Sequence, residues 1–150
     1  ATYCISLFGA TIEQMVVLAF LMPLVASMGG NAGMQTLAVT VRTLATNDLT
    51  KNNFNQNILK EFNIGILNGI IFAIISSIIV QLWFQDSQLS LIISISMILT
   101  MVVAGLFGIL VPVTLKNMNI DPAIASSVFV TTITDVIGFV SFLGVGAYFL

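Results

Sequence analysis

One carboxylate, Asp135, stands near the middle of the long apolar run that ends this chain, Asp121 to Phe149. At about 1.5 Å per helical residue it lies roughly 20 Å in from Asp121, close to the centre of a ~30 Å hydrocarbon slab. A lone charge at that depth costs at least ~3 kcal/mol, so it must face protein, water or an ion rather than lipid. Its neighbours carry oxygen. Ser127, Thr131, Thr134, Asp135 and Gly138 follow one another at i, i+4, i+7, i+8 and i+11, which is one face of an α-helix. This spacing predicts a polar seam down a buried helix with a carboxylate in its middle. The other reading is structural, with the carboxylate hydrogen-bonded to a neighbouring helix as glue. Asp121 heads the same run. Asp-Pro reads as an N-cap followed by proline at the first helical position, and a carboxylate at a channel mouth would also attract cations.

Composition narrows the chemistry. Of 150 residues, 58% are hydrophobic and only 7% charged, far from the quarter typical of soluble domains. Arg42, Lys51, Lys60 and Lys116 are the whole basic complement, so no patch exists for nucleic acid. Histidine is absent and Cys4 is alone, which excludes an internal disulfide, a thiolate zinc site and histidine-based catalysis. Any metal must be held by oxygen, which favours magnesium, calcium or manganese. Hydrolytic chemistry lacks its usual partners, and no enzyme activity is expected.

The elements that position Asp135 follow from hydropathy. An all-α polytopic membrane protein is expected, with four full spans. Residues 1–8 have no initiator Met and no basic region, and they read as the end of a truncated first helix. The first full segment, 11–45, would measure about 52 Å as one helix, so a break is expected near 23–33, where Pro23 and three glycines loosen it. Irregular backbone at membrane depth survives only where protein or water covers it. That makes Gly29, Gly30 and Asn31 a second candidate lining for a polar path; close helix approach explains the same glycines. Further spans are expected at 63–83, 89–115 and 121–149. Gly65 and Gly69 in the first of these have the spacing for close helix contact, and Trp83 suits an interface.

Arg42, Lys51 and Lys60 surround one connection and Lys116 lies in another, so both loops are placed on the cytoplasmic side and the C-terminus outside. The remaining polar residues have plainer readings. Lys60 and Glu61 form an interfacial pair, Glu13 and Asp86 are solvated loop charges, and Asn63 and Asn68 are structural hydrogen-bonding groups between helices. Ser76, Ser77, Ser94 and Ser96 can bond back to helical carbonyls.

Two stretches carry a family resemblance. Pro23-Leu-Val-Ala-Ser-Met-Gly-Gly-Asn-Ala-Gly-Met-Gln35, followed by Val41-Arg42 and Leu44-Ala45, resembles the second transmembrane helix of the MgtE magnesium transporter family. Asp121-Pro-Ala-Ile-Ala-Ser, with Thr131-Thr-Ile-Thr-Asp-Val136 and Gly138, resembles its fifth. Glu61 and the Gly65–Gly69 segment fit the third helix between them. The resemblance implies a homodimeric magnesium channel in the inner (plasma) membrane with five helices per subunit. Its pore is lined by the second and fifth helices of both subunits. It places the central ion site at Asp135, with oxygens one turn earlier at Thr131, and support from Ser127, Thr134 and the Gly29–Asn31 backbone. It also implies a cytoplasmic sensor region ahead of the membrane part, with paired CBS domains. Manganese and cobalt stay open beside magnesium as the ion. A proton- or sodium-coupled transporter with a midplane carboxylate, or a non-conducting assembly subunit, would share many of the same residues.

Overall fold

The computed structural model describes residues 1–50 and 52–149. Lys51, one of the residues used to orient the chain, lies outside them. Six helices follow in order: α1 (Thr2–Ser6), α2 (Gly9–Gln14), α3 (Val17–Ala45), α4 (Phe54–Phe84), α5 (Ser87–Asn117) and α6 (Pro122–Phe149). Among the described residues, α3 to α6 are each long and apolar enough to cross a bilayer.

Helix α5 is the hub. Helices α3, α4 and α6 each lie along it, α3 and α6 also touch one another, and α4 scarcely meets α3. Large apolar side chains fill the core at the end shared with α1 and α2, with Leu18, Val25, Ile92, Ile93, Met97, Phe142 and Leu143 fully covered or nearly so. Elsewhere the helices meet through small residues. A Cβ on Gly65 would stand 2.9 Å from the Val102 Cα, and one on Gly69 would stand 2.8 Å from the Ile98 Cα. The two glycines therefore let α4 approach the α5 backbone directly, as their spacing predicts. Gly108 does the same for α3, since its Cβ would lie 2.6 Å from the Thr36 Cβ. Ser76, Ser94 and Ser96 bond back to the carbonyls of Phe72, Ser90 and Ile92, so these hydroxyls enter an apolar interior already satisfied.

The expected break at 23–33 is not an interruption of the helix. Helix α3 runs unbroken through Pro23, and the interruption falls at Met15, with φ −135° and ψ 82°. Gly29 and Gly33 are buried against neighbouring helices, so they serve close contact rather than looseness. Helix α4 starts nine residues earlier than 63, because Asn55, Gln56, Asn57 and Lys60 continue the helix beyond the apolar stretch. Hydropathy marks where the hydrocarbon ends, and a helix is free to project past it.

The connections are capped by side chains. Asp86, read from sequence as a loop charge, is the N-cap of α5, its Oδ1 accepting from the Gln88 and Leu89 amides at 2.9 and 3.1 Å. Asp121 opens α6 in the same way, accepting from the Ala123 amide at 2.9 Å. The Lys116 Nζ donates to the Leu44 carbonyl at 3.0 Å, which places a cation at the carbonyl end of α3 and ties it to the end of α5. Gln85 and Asn119 close α4 and the α5–α6 turn with φ 53° and 60°.

Two stability predictions follow from these contacts. Gly65→Ala forces the α5 backbone to move and should lower unfolding stability by about 1–3 kcal/mol. Gly144→Ala, where nothing lies within 4 Å of an added Cβ, should leave stability unchanged or slightly raised. Asp121→Ala should cost about 1 kcal/mol while Asp121→Asn, an equally good cap, costs little. Denaturation midpoints of purified protein, followed by circular dichroism in one detergent, measure both pairs.

Candidate functional site

Helix α6 buries every fourth residue, Ser126, Val130, Thr134, Gly138, Phe142 and Gly146. Successive helical residues turn by about 100°, so Ser127, Thr131 and Asp135 lie to one side of that buried stripe. All three are half-buried. Ala125, Phe129 and Ile133 lie to the other side and line an apolar groove shared with Phe107 and Val111 of α5. The polar row therefore turns away from the α5 groove and toward α3. The expected seam of Ser127, Thr131, Thr134, Asp135 and Gly138 spans about 100° of arc on α6.

Helix α3 meets it from the other side. Gly33 comes against Val130 and Thr134, where a Cβ would stand 2.9 Å from the Val130 Cγ1 and 3.2 Å from the Thr134 Cγ2. Gly29 is turned inward against Thr100 and Thr134. Thr100 anchors this crossing from α5, with its hydroxyl 3.1 Å from the Ser141 hydroxyl of α6. Gly29 and Thr134 are thus joined in the seam between helices. Gly30 has open space around its Cα and Asn31 is exposed. Ala32, Gln35 and Val39 mark the α4 side of α3. Helical rotation puts Ser27, Gly30 and Met34 on the opposite side, the side adjoining Asp135.

A shared flank results. It presents the Asp135 carboxylate, the Thr131 and Ser127 hydroxyls, and the surface of α3 around Ser27, Gly30 and Met34. Asn31 is exposed about 100° further round from Gly30 and is not brought into it. Thr131 donates its hydroxyl proton to the Ser127 carbonyl at 2.9 Å, and Thr134 donates to the Thr131 carbonyl at 3.0 Å. Both hydroxyl oxygens are left as acceptors, a cation's natural ligands. Asp135 has no side-chain hydrogen bond or ion pair among the described residues. Asp121 is exposed at the start of the same helix, about 20 Å away, and is not brought into this cluster.

Two features escaped the sequence reading. Glu61 does not pair with Lys60; its Oε2 accepts from the Thr36 hydroxyl of α3 at 2.9 Å. Ser126, beside Ser127 in sequence, is fully buried and its hydroxyl lacks a partner among the described residues. Neither follows from periodicity, because the partner helix and its rotation decide both.

The sequence matches known proteins. A family model described as a divalent cation transporter, MgtE, matches residues 22–145. The magnesium transporters MgtE of Bacillus subtilis (strain 168) and Enterococcus faecalis are each 32% identical over 97% of this chain. That of Thermus thermophilus is 31% identical over 95% of it. The chain spans about a third (32%) of the length of each relative. On the family match and these identities, the chain belongs to the MgtE divalent cation transporter family.

Proposed function

We propose that this chain carries magnesium across a membrane along the α3–α6 flank, with Asp135 as the central ligand of a hydrated ion. The observation that carries this reading is a half-buried carboxylate in the middle of a membrane-length helix, with no side-chain partner among the described residues and acceptor oxygens beside it. Such a group demands a counter-charge. Magnesium gives up its waters reluctantly and is commonly held by one or two carboxylates through a retained hydration shell. The Thr131 and Ser127 oxygens, with the α3 surface at Gly30, would accept from those waters. Gly29 and Thr134 support the site by fixing how closely α3 and α6 approach.

One protomer supplies one carboxylate, and its flank is open. A second copy related by a two-fold axis would bring two Asp135 side chains to one point and close the path. Selectivity then rests on pore width and oxygen placement as much as on charge. The membrane potential supplies about 4.6 kcal/mol per divalent ion at 100 mV.

The test is magnesium uptake into dye-loaded proteoliposomes at a fixed voltage. Asp135→Asn should reduce uptake to the background of protein-free liposomes while the protein stays folded and crosslinks as a dimer. Thr131→Ser, which keeps the acceptor, should retain most of it. Equal uptake by native protein and Asp135→Asn would remove Asp135 from the path. Uptake that follows a proton or sodium gradient at fixed voltage would make the transport coupled instead.

A further inference from the structure

A second set of polar groups meets away from the Asp135 flank, running inward from the membrane edge. Helices α3 and α4 both rest on α5 but scarcely touch one another, and a cleft of about 180 Å³ opens between them. Its walls carry Gln35 and Thr36 from α3 and Glu61 and Asn68 from α4, and Gly65 and Gly105 help form its floor. The glycines matter. A Cβ on Gly105 would stand 3.1 Å from the Glu61 carbonyl, so a larger residue there would crowd the carboxylate's own backbone.

Glu61 sits at the membrane edge. Trp83, exposed near the far end of α4, suits one membrane interface. Glu61 is 22 residues before it, about 33 Å along the helix, which is the opposite edge of a ~30 Å slab. Asn68 lies about 10 Å further in. The Thr36 hydroxyl is the one side-chain partner of Glu61 among the described residues, and it satisfies Oε2 alone. Oε1 and the side-chain carbonyls of Gln35 and Asn68 remain as acceptors around one cavity, with no lysine or arginine among the described residues that line it.

We propose that this cleft is a second cation site, in which Glu61, Gln35 and Asn68 hold a hydrated divalent ion at the α3–α4 junction, outside the Asp135 path. Acceptor oxygens with one negative charge suit an ion that keeps its waters, because water protons supply the donors that the cleft lacks. The ion's identity rests on the transport reading above; the existence of the site does not involve Asp135. Occupancy would bridge α3 and α4, which are otherwise joined by the Thr36–Glu61 bond. Because α3 forms half of the Asp135 flank, the site is placed to couple cation concentration at this edge of the membrane to the position of that helix.

Mn2+ serves as the probe, in protein reconstituted in nanodiscs with Cys4→Ser and a nitroxide on Leu67→Cys. Leu67 is exposed on α4, next to Asn68. Saturable broadening of the nitroxide spectrum by Mn2+, reversed by excess Mg2+, is expected. Glu61→Gln keeps an acceptor for Thr36 and removes the charge; it should weaken the Mn2+ response at least tenfold. Asn68→Leu should weaken it less, and Asp135→Asn should leave it intact. Loss of broadening in Asp135→Asn with retention in Glu61→Gln would assign the ion to the transport path and overturn the second site. Absence of broadening in every variant, or equal broadening in native and Glu61→Gln protein, would overturn it also. Failure of uptake at Asp135 is read separately, so the two readings fall independently.

Discussion

Everything that positions Asp135 depends on how closely three helices approach α5. Lipid offers no hydrophobic drive for helices to associate, so contact between backbones must supply the attraction. The chain achieves it with residues too small to hold helices apart. Gly65 and Gly69 bring α4 onto α5, Gly108 brings in α3, and Thr100 meets Gly29 and Ser141 where α3, α5 and α6 converge. A methyl group at several of these positions would collide with backbone or β-carbon atoms rather than with flexible side-chain ends. The consequence is geometric. Rotation of α6 by one residue's worth of turn would exchange Asp135 for Thr134 at the flank, and the crossing at Gly33 fixes that rotation.

The same economy shows in the hydroxyls. Threonine and serine side chains along α6 and α5 return their protons to carbonyls one turn back, so they cost little to bury. Their oxygens keep lone pairs, which makes an apolar helix polar on one side; the buried Ser126 hydroxyl, which has no partner among the described residues, is the exception. An acceptor-rich, donor-poor flank suits a hydrated cation better than an anion, and Asp135 adds a charge of the matching sign. Charged residues elsewhere are spent at helix ends, with Asp86 and Asp121 as N-caps and Lys116 on the Leu44 carbonyl.

Much of this was legible in the residues. Four apolar runs marked the four long helices, the Gly65–Gly69 spacing marked a close contact, and the Ser127–Gly138 spacing marked one face of α6. What misled was the meaning of proline and glycine. In water, Pro23 with Gly29, Gly30 and Gly33 would argue for a broken helix. In a membrane a break exposes carbonyls that nothing satisfies, and small residues have a second use in helix contact. Gly29 and Gly33 recur four residues apart, on the side of α3 that meets α5 and α6. That period carried the answer. The true interruption at Met15 has no proline or glycine to announce it, and only β-branched Val16 and Val17 follow.

Glu61 was misread for a related reason. Adjacent Lys60 and Glu61 suggest a pair in sequence, yet neighbours in a helix point about 100° apart and do not face each other. Lys60 is exposed, whereas Glu61 turns to the α3–α4 cleft and takes its partner from Thr36. The chain thus carries two membrane carboxylates on opposite sides of α3. Asp135 is on the α6 side, near mid-depth, and Glu61 is on the α4 side, at the edge of the slab. Helix α3 is the element they share. A cation engaged at either place acts on the same helix, so motion of α3 on α5 is the one coordinate through which the two sites would sense each other. Gly108 holds α3 to within a methyl group of contact with α5, and Gly33 does the same toward α6, so any shift of α3 is felt at both neighbours.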